Sequence, residues 1–479
     1  MTDWWSALEA VIATALGVLP FVFVPMVLLR KKEPAATFAW ILVILFVPVL
    51  GIVMFWYLGR DRVRRPVRHR VAVSAPLREK LDDRVSGADA LGDVTFEKLL
   101  GDQPEEQRGV MRLATHIAGA DIRAGNDVRV IVGAQPAYDA LVEAIAAAEH
   151  HVHLEYYIFR GDRSGRAILD ALTDAARRGV EVRLLYDGFG SAGLGRHLRA
   201  LRKAGAEASV FFPLDPIRRA STINLRNHRK LVVVDGCVAF VGGINVGEEF
   251  LPWRDVNLRI EGPVCAQVQR LFAADWYFSS RRELVGEDYF PALDVRGDSL
   301  AQIVESGPDH TVEAIHRLYF AAIASARRRV WITTPYFVPD RAILAALQTA
   351  ALRGVDVRLV VPRHSNHRVT FHAGRSFYDE LLAAGVRIHE YLDGMLHTKT
   401  MVVDGRFGTV GSANLDVRSF RLNFELIAVL YGEGDVAELE RIFREDLERT
   451  ELVHLDSWRE RPLSTRVKEG FGRLMSPLL

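Results

Sequence analysis

Cysteine is nearly absent from the chain, with only Cys237 and Cys265 among 479 residues. So low a count excludes a disulfide framework and a cysteine-built zinc module. Net charge is also lacking, since 61 Lys and Arg face 60 Asp and Glu. A formal +1 gives no global attraction toward nucleic acid, though it leaves room for local patches. With 49% hydrophobic and 25% charged residues, a disordered chain is excluded too. At roughly 150 residues per domain, the length suggests about three units.

Charge is missing in a second, local sense. Residues 10–29 and 35–58 contain no charged side chain, and about 20 helical residues suffice to cross a hydrocarbon core about 30 Å thick. Pro20, Pro25 and Pro48 would break a soluble helix but are tolerated in a bilayer. Trp4, Trp5, Trp56 and Tyr57 lie near the ends, where aromatic rings favour the headgroup layer. No basic n-region or small-residue cleavage site is evident, so the segment reads as an anchor and not a cleaved leader. Residues 1–60 are therefore expected to form a transmembrane helical hairpin. Arg60, Arg62, Arg64, Arg65, Arg68 and Arg70 open a basic and polar connector over 61–108. They outnumber the three basic residues of the 30–34 loop, which places the downstream chain on the cytoplasmic side of a cell membrane. They would also attract anionic headgroups, at on the order of 1 kcal/mol each.

Beyond residue 110 one pattern occurs twice. The first copy runs from an alanine-rich helix (137–148) to the strand 153–159, a helix over 165–178 and a strand ending at Asp187. The second repeats the order with a helix over 311–328, a strand over 330–337, a helix over 341–352 and a strand over 354–361. Strands alternating with helices imply an α/β sandwich in each copy, 109–290 and 298–455, and two sandwiches meeting face to face would enclose one cleft. In the tail, 460–479, Leu463, Val467, Phe471, Leu474, Met475 and Leu478 share one helical face, and Arg466, Lys468 and Arg473 lie outside it. An amphipathic helix of this kind lies on a membrane or docks on the core, and both readings stay open.

At matching places the copies read His228-Arg-Lys230-Leu-Val-Val-Val-Asp235-Gly and His397-Thr-Lys399-Thr-Met-Val-Val-Asp404-Gly. Each is followed by a glycine-rich segment ending in Asn, Gly242-Gly243-Ile-Asn245 and Gly411-Ser412-Ala-Asn414. In a strand, His and Lys two apart project from one face. A neutral imidazole beside an ammonium suits attack on a phosphodiester, one supplying a lone pair or proton and the other offsetting phosphoryl charge. One such element would be weak evidence; two at equivalent places in a repeat are far more specific. Asp235 and Asp404, grouped with them as catalytic, also fit a hairpin turn. Glu149, His150, His151, His153 and Glu155 lack a compensating second cluster and read as a packed or cleft-lining strand, with no metal assigned. His364, His367 and His372 are too irregularly spaced for a helical metal pair.

The duplicated H-x-K-x-x-x-x-D pattern resembles that of the phospholipase D superfamily. With two N-terminal spans, the chain is most similar to the bacterial cardiolipin synthases. Further support comes from Pro48-Val-Leu-Gly51, Gly59-Arg60, the run Thr333 to Asp340 and the Ser476-Pro-Leu-Leu tail. The resemblance implies an α/β fold of two phospholipase D-like sandwich repeats sharing one cleft behind a two-helix transmembrane hairpin. It also implies phosphatidyl transfer through a phosphohistidine, with phosphatidylglycerol condensed to cardiolipin and no cofactor required. The superfamily usually takes its nucleophile from the first copy, here His228, with His397 as acid and later base. Asp255, 27 positions after His228, and Glu425, 28 after His397, would orient the imidazoles. Asn245, Asn414, Gly243 and Ser412 would cradle the phosphate, and Tyr157 and Tyr336 would line the cleft. The implied partners are phospholipids and a membrane, with no nucleic acid and with homo-oligomerisation open. Water as acceptor would make the same residues a phospholipase D. A membrane-tethered nuclease would need a basic groove with stacking aromatics, which the balanced charge disfavours.

Overall fold

The computed structural model describes residues 3–29, 34–55, 77–86, 100–101, 103–213, 225–310 and 312–476. They divide into two units, Met1–Arg65 and Pro66–Leu479. The arginines at 60–70, Trp56, Tyr57 and residues 477–479 lie outside the described residues.

The first unit contains α1 (Asp3–Leu28), α2 (Pro34–Phe46) and α3 (Pro48–Met54). α1 continues through Pro20 and Pro25. The second charge-free stretch, expected as one helix, is interrupted instead. Val47 leaves the helical region (φ −137°, ψ 69°), and Pro48, which has no N–H to donate, takes the first position of α3. Val27, Ile44 and Phe55 are fully buried in a small core, with Trp40 edge-on to Phe55 at 5.4 Å. Phe21, Phe38, Phe46, Val49 and Leu50 are exposed. Among the described residues no helix is long and apolar enough to cross a membrane.

In the second unit the first copy supplies β1 (Arg123–Val132), β2 (His151–Tyr156), β3 (Glu181–Asp187), β4 (Glu207–Phe211), β5 (Arg226–Asn227), β6 (Lys230–Val234), β7 (Val238–Gly242) and β8 (Val256–Glu261). The second supplies β9 (Ser299–Ser306), β10 (Arg329–Thr333), β11 (Phe337–Val338), β12 (Asp356–Pro362), β13 (Arg387–Tyr391), β14 (Thr400–Val403), β15 (Phe407–Gly411), β16 (Leu415–Asp416), β17 (Asn423–Tyr431) and β18 (Thr450–Leu452). Helices α4 (Ala134–Ala147) and α5 (Arg163–Arg177) alternate with the early strands, as α6 (Ala314–Ser325) and α7 (Arg341–Leu352) do in the second copy. The second helix of each pair starts at an aspartate that accepts from a backbone N–H one turn in, Asp162 from Gly165 and Asp340 from Ile343, both at 3.1 Å.

One sheet runs through both copies in the order β18-β13-β12-β10-β14-β15-β17-β9-β1-β8-β7-β6-β2-β3-β4, with β5 beside β17. The halves mirror each other about the antiparallel pair β1 and β9. The two expected α/β repeats are thus joined through one continuous sheet. β1 and β9 would otherwise be open edges, and pairing them satisfies backbone groups each would leave exposed. Their register is irregular between Arg123 and Asn126, and the Asn126 amide closes the gap by donating to the carbonyls of Arg123 (2.8 Å) and Ser299 (3.1 Å). Each copy keeps its own apolar core, one around Leu141, Leu154, Ile168 and Val232, the other around Leu318, Ile332, Leu347 and Met401.

Candidate active site

The two motifs begin in equivalent hairpins. β6 pairs with β7, and β14 with β15. Both connections place Asp then Gly at positive φ, 50° and 69° for Asp235 and Gly236, 54° and 72° for Asp404 and Gly405. Positive φ at both central positions is what a type I′ turn requires, and the Cys237 and Arg406 N–H groups close the turns onto the Val234 and Val403 carbonyls, both at 3.1 Å. The aspartates turn to the backbone at the start of the neighbouring strand. Asp235 accepts from the backbone N–H groups of Glu149, His150 and His151 at 2.8–2.9 Å. Asp404 does the same for Arg327, Arg328 and Arg329 at 2.8–2.9 Å. Four residues of strand separate each aspartate from its lysine, so the two lie five steps apart, about 16 Å at about 3.3 Å per step. Grouping Asp235 and Asp404 with the histidines as catalytic is therefore corrected: they hold the hairpin to the preceding strand.

At the other end of these strands the imidazoles meet carboxylates from the opposite copy. His228 Nδ1 lies 3.0 Å from Glu425 Oε2, and His397 Nδ1 lies 2.6 Å from Asp255 Oδ2, all four residues being buried. The exchange follows from the main chain. β5, just before His228, pairs in parallel with the start of β17, and the His228 N–H donates to the Phe424 carbonyl at 2.9 Å. Arg254 bridges Leu396, and its carbonyl accepts from the His397 N–H at 2.7 Å. Each histidine is thereby stitched to the residue before the other copy's acid. A carboxylate accepting from Nδ1–H holds the proton on that nitrogen and leaves the Nε2 lone pair free.

Around this pair the lysines are tightly held. Lys230 Nζ donates to the His228 carbonyl at 2.6 Å, and Lys399 Nζ to that of His397. Lys399 Nζ also lies 3.0 Å from His397 Nδ1 and 4.0 Å from Asp255. Tyr157 packs edge-on to His228 at 4.8 Å with the Lys230 ammonium 5.4 Å from its ring, and Tyr336 lies 6.3 Å from His397. Both tyrosines therefore pack beside a motif histidine. Trp253, at 4.9 Å from His397, is a third wall, missed because two residues before an acid is no motif position.

Burial dominates the electrostatics. It lowers His228 below the usual imidazole range and takes His397 down to about 3, so both rings are neutral near pH 7. Lys399 adds to the lowering at His228 and Lys230 to that at His397, so each motif lies in the field of the other. Burial also brings Lys230 down to about 7 and Lys399 to about 8. Glu425 is different: burial alone would raise it, but His228 and Lys230 hold it below the ordinary carboxylate value.

The glycine-rich segments serve the acids more than a phosphate. The backbone N–H of Gly243 donates to the Val256 carbonyl (3.2 Å) and that of Ser412 to Leu426 (2.9 Å). A Cβ at Gly243 would come within 2.5 Å of Asp255 Oδ1, and the Ser412 hydroxyl donates to Glu425. Both are thus corrected from phosphate ligands to neighbours of the orienting acids. Asn245 Oδ1 accepts from the Ile158 N–H at 3.2 Å, and its carbonyl accepts from Tyr138 at 2.6 Å. Asn414 Oδ1 is buried with no hydrogen-bond partner among the described residues. The His151 and His153 rings lie 4.5 Å apart, tilted by 39°, and Glu155 in β2 accepts from the Asn227 amide in β5. Arg229, between His and Lys, went unnoticed in the sequence. Fully buried, it binds Asp275, Glu305 (2.8 Å) and the Glu425 carbonyl (3.2 Å), a third tie between the copies. Only its position inside the motif could have drawn attention to it.

The family model described as "Cardiolipin synthase, PLD-like domain" matches residues 141–276 and 319–447, which contain both histidine motifs. A cardiolipin synthase of Geobacillus sp. (strain WCH70) is 37% identical over 500 residues, covering 100% of this chain and 96% of its own length. The chain belongs to the cardiolipin synthase family. Nearer the N-terminus, residues 19–60 match the model described as "Phospholipase_D-nuclease N-terminal". Cardiolipin synthase 2 of Bacillus anthracis is 37% identical over 463 residues, 95% of this chain and 88% of that one. Among solved structures, phosphatidylserine synthase of Haemophilus influenzae Rd KW20 superposes with a TM-score of 0.61 at 14% identity, over 78% of this chain and 100% of that one. At that identity the likeness is one of fold, and it carries the two-repeat mixed α/β architecture alone.

Proposed function

We propose that this chain is a membrane phosphatidyltransferase that condenses two phosphatidylglycerol molecules to cardiolipin and glycerol. The observation that carries the reading is the pair of buried, neutral imidazoles, each with Nδ1 on a carboxylate and a lysine alongside. In the first step His228 Nε2 attacks phosphorus. The bond from phosphorus to the glycerol headgroup oxygen breaks, and that alkoxide takes the Nε2 proton of His397, which acquires it from solvent once the anionic phosphodiester is in place, with Asp255 sharing the imidazolium charge. The second headgroup hydroxyl then attacks the phosphohistidine, its proton goes to His397, and the P–N bond breaks. Assigning attack to His228 follows the resemblance. Lys230 and Lys399 offset charge on the phosphoryl oxygens, and Asn245 and Asn414 stay in the proposal as polar neighbours of the phosphate. This route uses groups of the chain alone, the imidazole being the nucleophile.

The acceptor decides the product, and an anchor in the bilayer favours a lipid hydroxyl over water, because donor and acceptor then share one interface at high effective concentration. Residues 1–60 are proposed as that anchor. Two charge-free stretches and an exposed apolar surface on α1, α2 and α3 support it. The arginines beyond it support a cytoplasmic catalytic body. The repeats are proposed to span 109–290 and 298–455, with 61–108 as connector.

Phosphatidylglycerol supplied to the purified chain should yield free glycerol and a four-chain lipid, and either His228→Ala or His397→Ala should abolish both. Mass spectrometry of the quenched enzyme should find the phosphatidyl adduct on one histidine. Phosphatidic acid as sole product would mean that water is the acceptor, and full activity in either variant would refute the shared cleft.

A further inference from the structure

The C-terminal helix has its polarity turned inside out. α8 (Arg368–Arg375) and α9 (Leu463–Met475) pack together so closely that a Cβ at Gly472 would meet the Ala373 backbone nitrogen at 2.6 Å. The contact side is polar. Glu469 is buried, 2.8 Å from Arg461 and 3.8 Å from Arg375. Arg461 reaches Asp379 at 2.6 Å, and Arg473 reaches Glu380 at 2.6 Å. The outward side is apolar: Leu463 is 73% exposed, Val467 63%, Phe471 62% and Leu474 78%. A soluble surface helix buries its apolar stripe; this one is fixed by buried ion pairs with the stripe outside.

The surroundings identify what such a stripe meets. Arg466 and Lys468 are exposed beside it on α9, and Arg368 and Val369 are exposed on α8. From Arg363 to Phe377 there is no acidic residue but three arginines and three histidines. An apolar strip bordered by cations matches an anionic lipid surface, acyl chains against the strip and phosphates against the border. The patch also adjoins the cleft. Asn366 Oδ1 accepts from the Tyr336 hydroxyl at 2.7 Å, and the His367 ring lies 5.3 Å from that of Tyr336, itself 6.3 Å from His397.

We propose that α8 and α9 form a membrane-contact platform that seats the cleft on a bilayer carrying anionic phospholipid. Leu463, Val467, Phe471 and Leu474 enter the acyl boundary and deliver headgroups past Tyr336. The delivery role rests on the phosphatidyl-transfer reading; the seating does not. The test uses the full chain in nanodiscs of phosphatidylcholine containing phosphatidylglycerol. A nitroxide is placed through Phe471→Cys, with Lys203→Cys as control and the unsubstituted chain, bearing Cys237 and Cys265, as background. The Phe471 label should become accessible to oxygen and shielded from a water-soluble nickel chelate, while the Lys203 label stays open to the chelate. Equal chelate access at both labels overturns the platform. So does dipolar broadening at the Phe471 label that disappears on dilution with unlabelled chain, since the stripe would then meet a second copy. In Val467→Glu/Phe471→Glu the ratio of turnover on bilayer phosphatidylglycerol to that on dispersed short-chain phosphatidylglycerol should fall at least tenfold; an unchanged ratio overturns delivery. Should the parent chain turn over neither lipid, phosphatidyl transfer and delivery fail together, and the label depths still decide the seating.

Discussion

Replacing Glu425 by Gln tests the exchange of acids between the copies most directly. The carboxylate lies 3.0 Å from His228 Nδ1 with both groups buried, and the same oxygen accepts from Ser412. On the proposed route His228 gains positive character as its Nε2 bonds to phosphorus, so the carboxylate stabilises the transition state more than the neutral ground state. A charge-assisted hydrogen bond contributes about 1.5–3 kcal/mol, and Coulomb attraction at an effective dielectric of about 20 sets an upper scale near 4 kcal/mol at this range. A loss of about 2–4 kcal/mol corresponds to about a thirty- to thousandfold drop in the rate of adduct formation. Glutamine keeps the volume and one acceptor, so folding should survive. Rapid quench with mass spectrometry on His228 measures the adduct, and NMR titration of the same imidazole should show it harder to protonate. Asp255→Asn should move the His397 titration and leave that of His228 nearly in place. If instead Glu425→Gln shifts only His397 and Asp255→Asn only His228, each acid serves its own copy and the cross-pairing argument is wrong.

The pH dependence of kcat/KM should reflect the lysines. Burial brings Lys230 to about 7 and Lys399 to about 8, and an anionic phosphodiester needs the ammonium forms, so activity should decline as pH rises through about 7 to 8. The acid limb should fall below the usual imidazole value, because burial lowers the attacking imidazole, His228; a plateau reaching pH 10 would contradict the decline set by the lysines. Arg229→Met leaves Asp275 buried without its guanidinium and should cost about 3–5 kcal/mol, seen as a lower urea midpoint. Asp404→Ala removes the acceptor of three backbone N–H groups at a positive-φ turn and should cost about 1–3 kcal/mol. Its rate per folded molecule should stay within about threefold of the parent, and a hundredfold loss would restore Asp404 to the chemistry.

Local pattern carried much of the fold. Alternating strands and helices were legible in each copy, and α7 spans the same residues, 341–352, that periodicity marks. Asp-Gly before an apolar run foretold both hairpins, because the positive φ they need is a local property. Val47 and Pro48 were harder to read, since uniform hydrophobicity suggests one span while proline geometry divides it. Ser412 and Gly243 look like phosphate ligands in a linear motif, yet their N–H groups are already used by the sheet.

The cross-pairing of acids could not be read from spacing, and the reason has a consequence. Near-equal intervals from His228 to Asp255 and from His397 to Glu425 invite pairing within a copy, whereas the hydrogen bonds span 197 and 142 residues of sequence. What decides is a pair of main-chain contacts between the copies, β5 on β17 and Arg254 on Leu396, together with Arg229 on the Glu425 carbonyl. Such contacts depend on the assembled sheet, which no window of sequence contains. Neither copy can therefore fix its own imidazole: a half alone would hold the histidine and lysine but lack the carboxylate that sets the tautomer. Loosening the joint between copies should consequently weaken both histidines at once, even though none of the substituted residues touches a substrate.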